Sequence, residues 1–198
     1  MRSTAVPGAD NRLPVPLDGP TRGRIAILTA DKVEDVEFFY PYYRFVEAGW
    51  TVDVITPSGG KLTGYRGTEL LDTRPLSDAT PDSYVLLFIP GGLAPATLVE
   101  NEAAIDFVRR YAQSNGLIGS VCHGPRLLVA AGLARGQQLT AFWHVEDEIS
   151  GAGGTYLDVP VVDGERIITA RKPGDMPREM ARIMARLDKI ASTEPQAA

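Results

Sequence analysis

The chain has a single cysteine, and it stands where chemistry could use it. Cys122 closes the apolar run Leu117–Val121 and opens Cys122-His123-Gly124-Pro125, ahead of a second apolar run from Arg126 to Ala131. A buried strand that ends in a small-residue turn and a helix has the layout of a nucleophile elbow, although the letters depart from G-x-S-x-G. At such a corner the helix turns its free N–H groups and positive dipole end toward the sulfur, which favours the reactive thiolate. The expectation is an accessible thiol of lowered pKa at the rim of a sheet. The backbone N–H of His123, with one from Gly91 or Gly92, could form an oxyanion hole, while the two glycines could equally do no more than turn the chain. A lone cysteine is often plain packing, but a strand end followed by His-Gly-Pro favours a chemical role.

Composition narrows the choices. One cysteine and two histidines cannot build an internal disulfide or a Cys/His structural zinc site, and no ligand cluster suggests another metal or cofactor. The 198 residues fit one domain, with 44% hydrophobic and 23% charged residues as in ordinary globular proteins. A net charge of -5 argues against a nucleic-acid partner, which would want a basic face. No run of about 18 apolar residues is available to span a membrane, and the first residues lack the apolar core of a signal peptide. A cytoplasmic protein is expected.

The elements that must position Cys122 follow from the hydrophobic pattern. Residues 1–23, rich in Pro and Gly, read as a flexible arm, residues 24–190 as one domain and 191–198 as a tail. Ile25-Ala26-Ile27-Leu28 is a strand buried on both faces, followed by a helix from Glu34 to Ala48 with Val36, Phe39, Tyr43 and Val46 as its apolar face. Pro41 predicts a break or kink near Tyr40. Strands are expected over 51–55, 84–89, 117–121 and 138–142, and a small hairpin over 61–71. Helices are expected over 103–112, 126–131 and about 145–149. Asp163-Gly164 predicts a second hairpin, and Asp175 an N-cap for a last helix that buries Ile183, Met184 and Leu187. Alternating strands and helices mean a mostly parallel sheet with helices on both faces. Ligands bind beyond the carboxyl ends of such strands, where the segments at 31–34, 90–92 and 122–124 converge.

Val33-Glu34-Asp35-Val36-Glu37, Tyr40-Pro41-Tyr42, Pro90-Gly91-Gly92, Cys122-His123-Gly124-Pro125 and Ala131-Gly132-Leu133 occur here in the order and spacing of the PfpI (intracellular protease I) family. The resemblance, to a family of the ThiJ/PfpI superfamily, covers nearly everything from Arg24 to Leu187. It implies a flavodoxin-like three-layer α/β sandwich with a class I glutamine amidotransferase-like core. It also implies roles: Cys122 is the elbow nucleophile, His123 its neighbour, and Glu34 the acid whose carboxyl meets the sulfur. The alternative for Glu34 is a solvated first-turn residue complementing the helix dipole. Two departures stand out. The position at which PfpI-type proteases place a glutamate supplied by a neighbouring subunit is Ala96, so the Cys-His-Glu triad loses its third member. Phe142-Trp143-His144 replaces the usual Tyr-Pro or His-Pro, so Trp143 and His144 would line the pocket differently; His144 is either an alternative base or a helix-start histidine. Arg171, in an Arg-x-Pro stretch, would face the pocket.

The function that the resemblance implies is a cofactor-free cysteine enzyme acting on small reactive carbonyls or glycated adducts, in the manner of glyoxalases and deglycases. The alternatives are a PfpI-type cysteine peptidase or amide hydrolase, weakened by Ala96, and a non-enzymatic redox sensor or chaperone-like stress protein. The resemblance also implies a homodimer or larger homo-oligomer acting on an aldehyde or amide, with Tyr40, Pro41, Tyr42 and Tyr43 as either a contact patch or core.

Overall fold

A computed structural model describes residues 21–114 and 116–193. The arm and tail expected at the two ends lie, apart from residues 21–23 and 191–193, outside the described residues. In chain order the elements are β1 (Arg24–Leu28), α1 (Asp35–Glu47), β2 (Thr51–Thr56), β3 (Gly60–Thr63), β4 (Glu69–Pro75) and β5 (Leu86–Ile89). Then come α2 (Ala94–Leu98), α3 (Glu102–Tyr111), β6 (Leu117–Val121), α4 (Pro125–Ala130), β7 (Gln138–Leu139) and α5 (Glu146–Gly151). The chain finishes with β8 (Thr155–Tyr156), β9 (Val161–Asp163), β10 (Ile167–Ala170) and α6 (Met176–Thr193).

Eight strands form one sheet in the order β3-β4-β2-β1-β5-β6-β10-β9. The six inner strands pair in parallel, and β3 and β9 close the two edges antiparallel. The helices flank this sheet, which explains why β1 after Arg24, β5 and most of β6 read as apolar runs. All of Ile25–Leu28 and Leu86–Ile89 is out of contact with solvent, as expected for strands covered on both faces. The chain leaves β1 toward β2 on one side, while β5 and β6 are added on the other. The strand order therefore reverses at β1/β5, the place where open α/β sheets hold their ligands. The loops after β1, β5 and β6 lie side by side there.

Several expected elements take a different form. Helix α1 runs unbroken through Pro41, so the expected break near Tyr40 is absent. Its buried face is also not the expected one. Phe38, Pro41, Tyr42, Phe45 and Val46 point into the core with Glu37 among them, whereas Val36 and Tyr43 are about half exposed. Apolar residues surround this helix, and the sheet selects the stripe with the larger aromatic rings. Pro41 and Tyr42 thus belong to the core and Tyr43 to the surface. The strand expected over 138–142 is only β7, paired with β8 in a separate two-stranded sheet. Asp175 precedes α6, but its carboxylate is engaged by Arg171.

The end of the sheet remote from these loops is pinned by one carboxylate. Asp53 on β2 accepts from Arg24 on β1 at 2.7 Å, from Arg74 on β4 at 3.0 Å and from the Tyr84 hydroxyl at 2.8 Å. Burial raises its carboxyl, but the hydrogen bonds from Arg24 and Tyr84 and the charges of both arginines together hold it below the usual range. Asp53→Ala leaves three donors facing a void. Because both arginines are partly solvated, the expected cost is about 2 kcal/mol, read as a lowered urea midpoint with the reactivity of Cys122 unchanged.

Candidate functional site

Strand β6 delivers Cys122 directly onto the start of α4. Its φ is +60°, one of two positive values among the described non-glycine residues. A side chain there costs on the order of 1–2 kcal/mol, so the surroundings must enforce it. They do so with two backbone hydrogen bonds: Cys122 N–H donates to Ala170 O at 3.0 Å, and Cys122 O accepts from Phe142 N–H at 2.8 Å. The turn also needs Gly124, because a Cβ at that position would overlap Ile89 O and Ser120 Oγ. Strain at a defined corner of this kind marks a residue held for a purpose.

The carboxyl on the sulfur belongs to Glu37, not to Glu34. Glu37 and Cys122 are joined by a side-chain hydrogen bond. Glu37 Oε2 also accepts from Gly91 N–H at 2.8 Å, and the residue is wholly buried. Burial lifts the Glu37 carboxyl from 4.5 to about 7, the Gly91 and Cys122 hydrogen bonds pull it down, and the Glu34 charge adds to the rise. Glu34 sits at the N-cap of α1 without capping it; its carboxylate is paired with Arg66 Nε at 2.8 Å. The role expected of residue 34 thus falls one helical turn further on.

The two glycines divide the work. Gly91 N–H is committed to Glu37. Gly92 N–H, with the N–H of His123, faces the Cys122 sulfur and favours its thiolate. Gly92 reaches this position at φ +75°, where a Cβ would run into the backbone of residues 32–34.

The thiol itself differs from the expectation. Cys122 is only 8% exposed. Burial, followed by the Glu37 charge and hydrogen bond, pushes the thiol well above its ordinary pKa. Helix α4 is six residues long, and its dipole does not overcome these effects. The sulfur is a thiol that must hand its proton to a neighbour before it reacts. Glu37, near neutrality and hydrogen-bonded to it, is placed where it could accept that proton.

His123 lies on the other side. Its Nδ1 is 3.3 Å from Sγ, and its ring meets Phe142 at 4.9 Å between centroids. Burial and the Arg126 charge lower its pKa, so it is neutral at pH 7. Among the described residues no carboxylate is hydrogen-bonded to this ring, and Ala96 lies within the short helix α2. Trp143 is 63% exposed and rests against His144, forming an aromatic wall beside His123. His144 is 6.3 Å from His123 between centroids and lies outside the set that meets the sulfur. Arg171 is likewise held away: Asp175 at 2.9 Å and Asp158 at 2.7 Å take up its guanidinium. The sequence reading missed Glu37, the contact of Phe142 with His123, and Glu179, an acid buried behind Glu37.

Comparison with known proteins accords with this geometry. Residues 23–186 match the DJ-1/PfpI family. A deglycase of Pyrococcus abyssi is 35% identical over 153 residues, which cover 77% of this chain and 92% of the relative. The protein/nucleic acid deglycase 2 of Escherichia coli is 33% identical over 167 residues, 81% of this chain and 97% of that one. Among solved structures, a two-domain protein of Anabaena variabilis with DJ-1/ThiJ/PfpI-like and ferritin-like domains superposes with a TM-score of 0.81 at 33% identity. That match covers 84% of this chain and 48% of the two-domain chain. No helix among the described residues is long and apolar enough to cross a membrane.

Proposed function

Since the chain belongs to the DJ-1/PfpI family, we propose that it is a cofactor-free cysteine enzyme that acts on small reactive carbonyls or their adducts, as the deglycase names of its relatives suggest. One observation carries this reading: the Cys122 thiol is hydrogen-bonded to a Glu37 carboxyl poised at about pH 7, beneath the N–H groups of Gly92 and His123. Glu37 takes the thiol proton as Sγ bonds to the carbonyl carbon. The C=O π pair moves onto oxygen, which Gly92 and His123 N–H stabilise before it is protonated to a hemithioacetal. For a 2-oxoaldehyde, neutral His123 removes the C–H proton and the neighbouring carbon regains one, leaving a thioester. Water then cleaves the S–C bond, so the net change is 2-oxoaldehyde plus water to 2-hydroxy acid, without an outside oxidant.

The peptidase reading is weaker on physical grounds. An amide leaving group needs a well-oriented general acid, and His123 lacks a carboxylate among the described residues. An aldehyde has no leaving group to protonate. The test is a panel run on the purified protein: methylglyoxal, a methylglyoxal–thiol hemithioacetal, a glycated amine and unstructured peptide amides. Turnover of the carbonyl substrates with none of the peptides is expected. Peptide cleavage without carbonyl turnover would reverse the reading. Self-association is proposed with it, and sedimentation at micromolar concentration is expected to give a dimer or larger species.

A further inference from the structure

Behind Glu37 the core holds a second acid. Glu179, on α6, is wholly buried, and neither of its carboxyl oxygens has a hydrogen-bond partner. On the side facing the core, Glu37 has one unpartnered oxygen too: Oε2 is used by Gly91, whereas Oε1 is buried and unpaired. The two carboxyls are near enough for the charge of one to act on the other, and three orphaned oxygens would cost several kcal/mol if both groups were ionised, a cost that a proton on one of them relieves. The position was built by the helix itself. Met176, Met180, Ile183 and Leu187 form the buried stripe of α6, and Glu179 stands on that stripe where an apolar residue would pack.

We propose that Glu179 is a positioning residue for the reaction at Cys122: it carries a proton and donates it, directly or through one enclosed water, to Glu37 Oε1. This rests on the reading of Glu37 as the base for Cys122. The charged groups around the pair favour this arrangement. Glu37 and Asp175 both act on Glu179 as like charges, and the Asp175 carboxylate accepts a hydrogen bond from Arg171. Among the described residues no cation acts on Glu179; the Ser120 backbone N–H, which is near but makes no full hydrogen bond to it, is the one group that favours its ionised form. Around Glu37 stand Glu34, paired with Arg66, the Gly91 N–H and the Cys122 thiol. Glu179 is therefore the neutral acid of the pair and Glu37 the member that titrates. A donor on Oε1 favours the carboxylate of Glu37 and so lowers the pH at which it accepts the thiol proton. It also fixes the carboxyl plane, so that Oε2 stays aimed at Gly91 and the sulfur.

The test is the pH dependence of Cys122 alkylation by iodoacetamide in the full chain, which needs no substrate turnover. Glu179→Met removes the donor and fills the space, and the alkylation rise is expected to move up by about one pH unit, tenfold in rate on the rising limb. Glu179→Gln keeps a neutral N–H donor and is expected to restore the wild-type profile. Infrared spectra at pH 8 supply an independent readout. The carbonyl band of a buried protonated carboxyl is expected in the wild type, absent in Glu179→Gln and shifted in Glu37→Gln. The proposal is overturned if the Glu179→Met profile coincides with wild type, if Glu179→Gln shifts as far as Glu179→Met, or if no protonated band is seen. Should the alkylation shift appear while carbonyl turnover is absent from the wild type, the proposed reaction fails and the carboxyl pair stands.

Discussion

Cys122→Ser is expected to lower carbonyl turnover by at least about 10³-fold while leaving the unfolding midpoint within about 1 kcal/mol of the wild type. The two halves of this outcome have one cause. Serine fits the site: its hydroxyl can donate to Glu37 and accept from the N–H groups of Gly92 and His123, which already surround the sulfur. It also meets the same backbone restraint at φ +60° from Ala170 and Phe142. What it lacks is an attainable anion. A carboxylate that titrates at about 7 can share a proton with a thiol, which stays more acidic than an alkanol in the same site even when burial raises it. It cannot deprotonate an alkanol to a useful extent. Turnover would be followed by loss of methylglyoxal and the formation of 2-hydroxy acid. Near-wild-type activity in the serine variant would show that the reaction does not pass through residue 122.

The sheet and its elbow were legible in the sequence because local pattern and tertiary role agree there. Ile25–Leu28 is apolar throughout and Leu117–Val121 nearly so, with the buried Ser120 hydroxyl satisfied by Ile89 O, as a strand covered on both faces requires. Cys122-His123-Gly124-Pro125 places a nucleophile, a tight turn and a helix start in four residues. The acid was misread for an equally definite reason. Helix α1 has apolar side chains nearly all round, so its spacing alone fits two stripes. The resemblance places the acid at Glu34, and the stripe through Val36, Phe39, Tyr43 and Val46, which leaves Glu37 at the edge, offers nothing against it. The stripe that the sheet buries runs through Phe38, Pro41, Tyr42 and Phe45, and Glu37 lies within it. A signal was present: Glu37, Pro41 and Phe45 are spaced four apart, so Glu37 is a carboxyl on what reads as a core row. Such a row is where an acid is desolvated enough to act near neutral pH. Glu179 repeats the pattern on α6, one turn before Ile183, and was passed over because only its apolar neighbours were counted inward. The pairing of Arg171 with Asp158 depends on chain positions brought together by β8–β10, which spacing does not disclose, whereas its pairing with Asp175, four residues on, is local and competes with the N-cap role expected of Asp175.

The exchange of roles between residues 34 and 37 gives the sharpest contrast between two substitutions three positions apart. Glu37→Gln is expected to lower alkylation of Cys122 and carbonyl turnover at pH 7 by about 10²–10³-fold, the usual worth of a positioned base. Glu34→Gln, which breaks the pair with Arg66 and removes the smallest of the effects that raise Glu37, is expected to change them by less than about threefold. The pH profiles separate the cases further. In the wild type the rate rises through about pH 7 as Glu37 loses its proton; in Glu37→Gln that rise moves to the higher range of the buried thiol. Stability runs the opposite way. Folding raises the Glu37 pKa from 4.5 to about 7, so the native state binds the proton more tightly. The stabilisation is complete below pH 4.5 and is lost as pH rises through 7. The loss for such a shift is about 3 kcal/mol, and glutamine, which cannot ionise, escapes it. Chemical denaturation at pH 5 and pH 8 is therefore expected to show wild type losing stability over this interval relative to Glu37→Gln. If instead Glu34→Gln lost the activity and flattened the stability profile while Glu37→Gln kept both, the base would be residue 34. The hydrogen bond between Glu37 and the sulfur would then be packing alone.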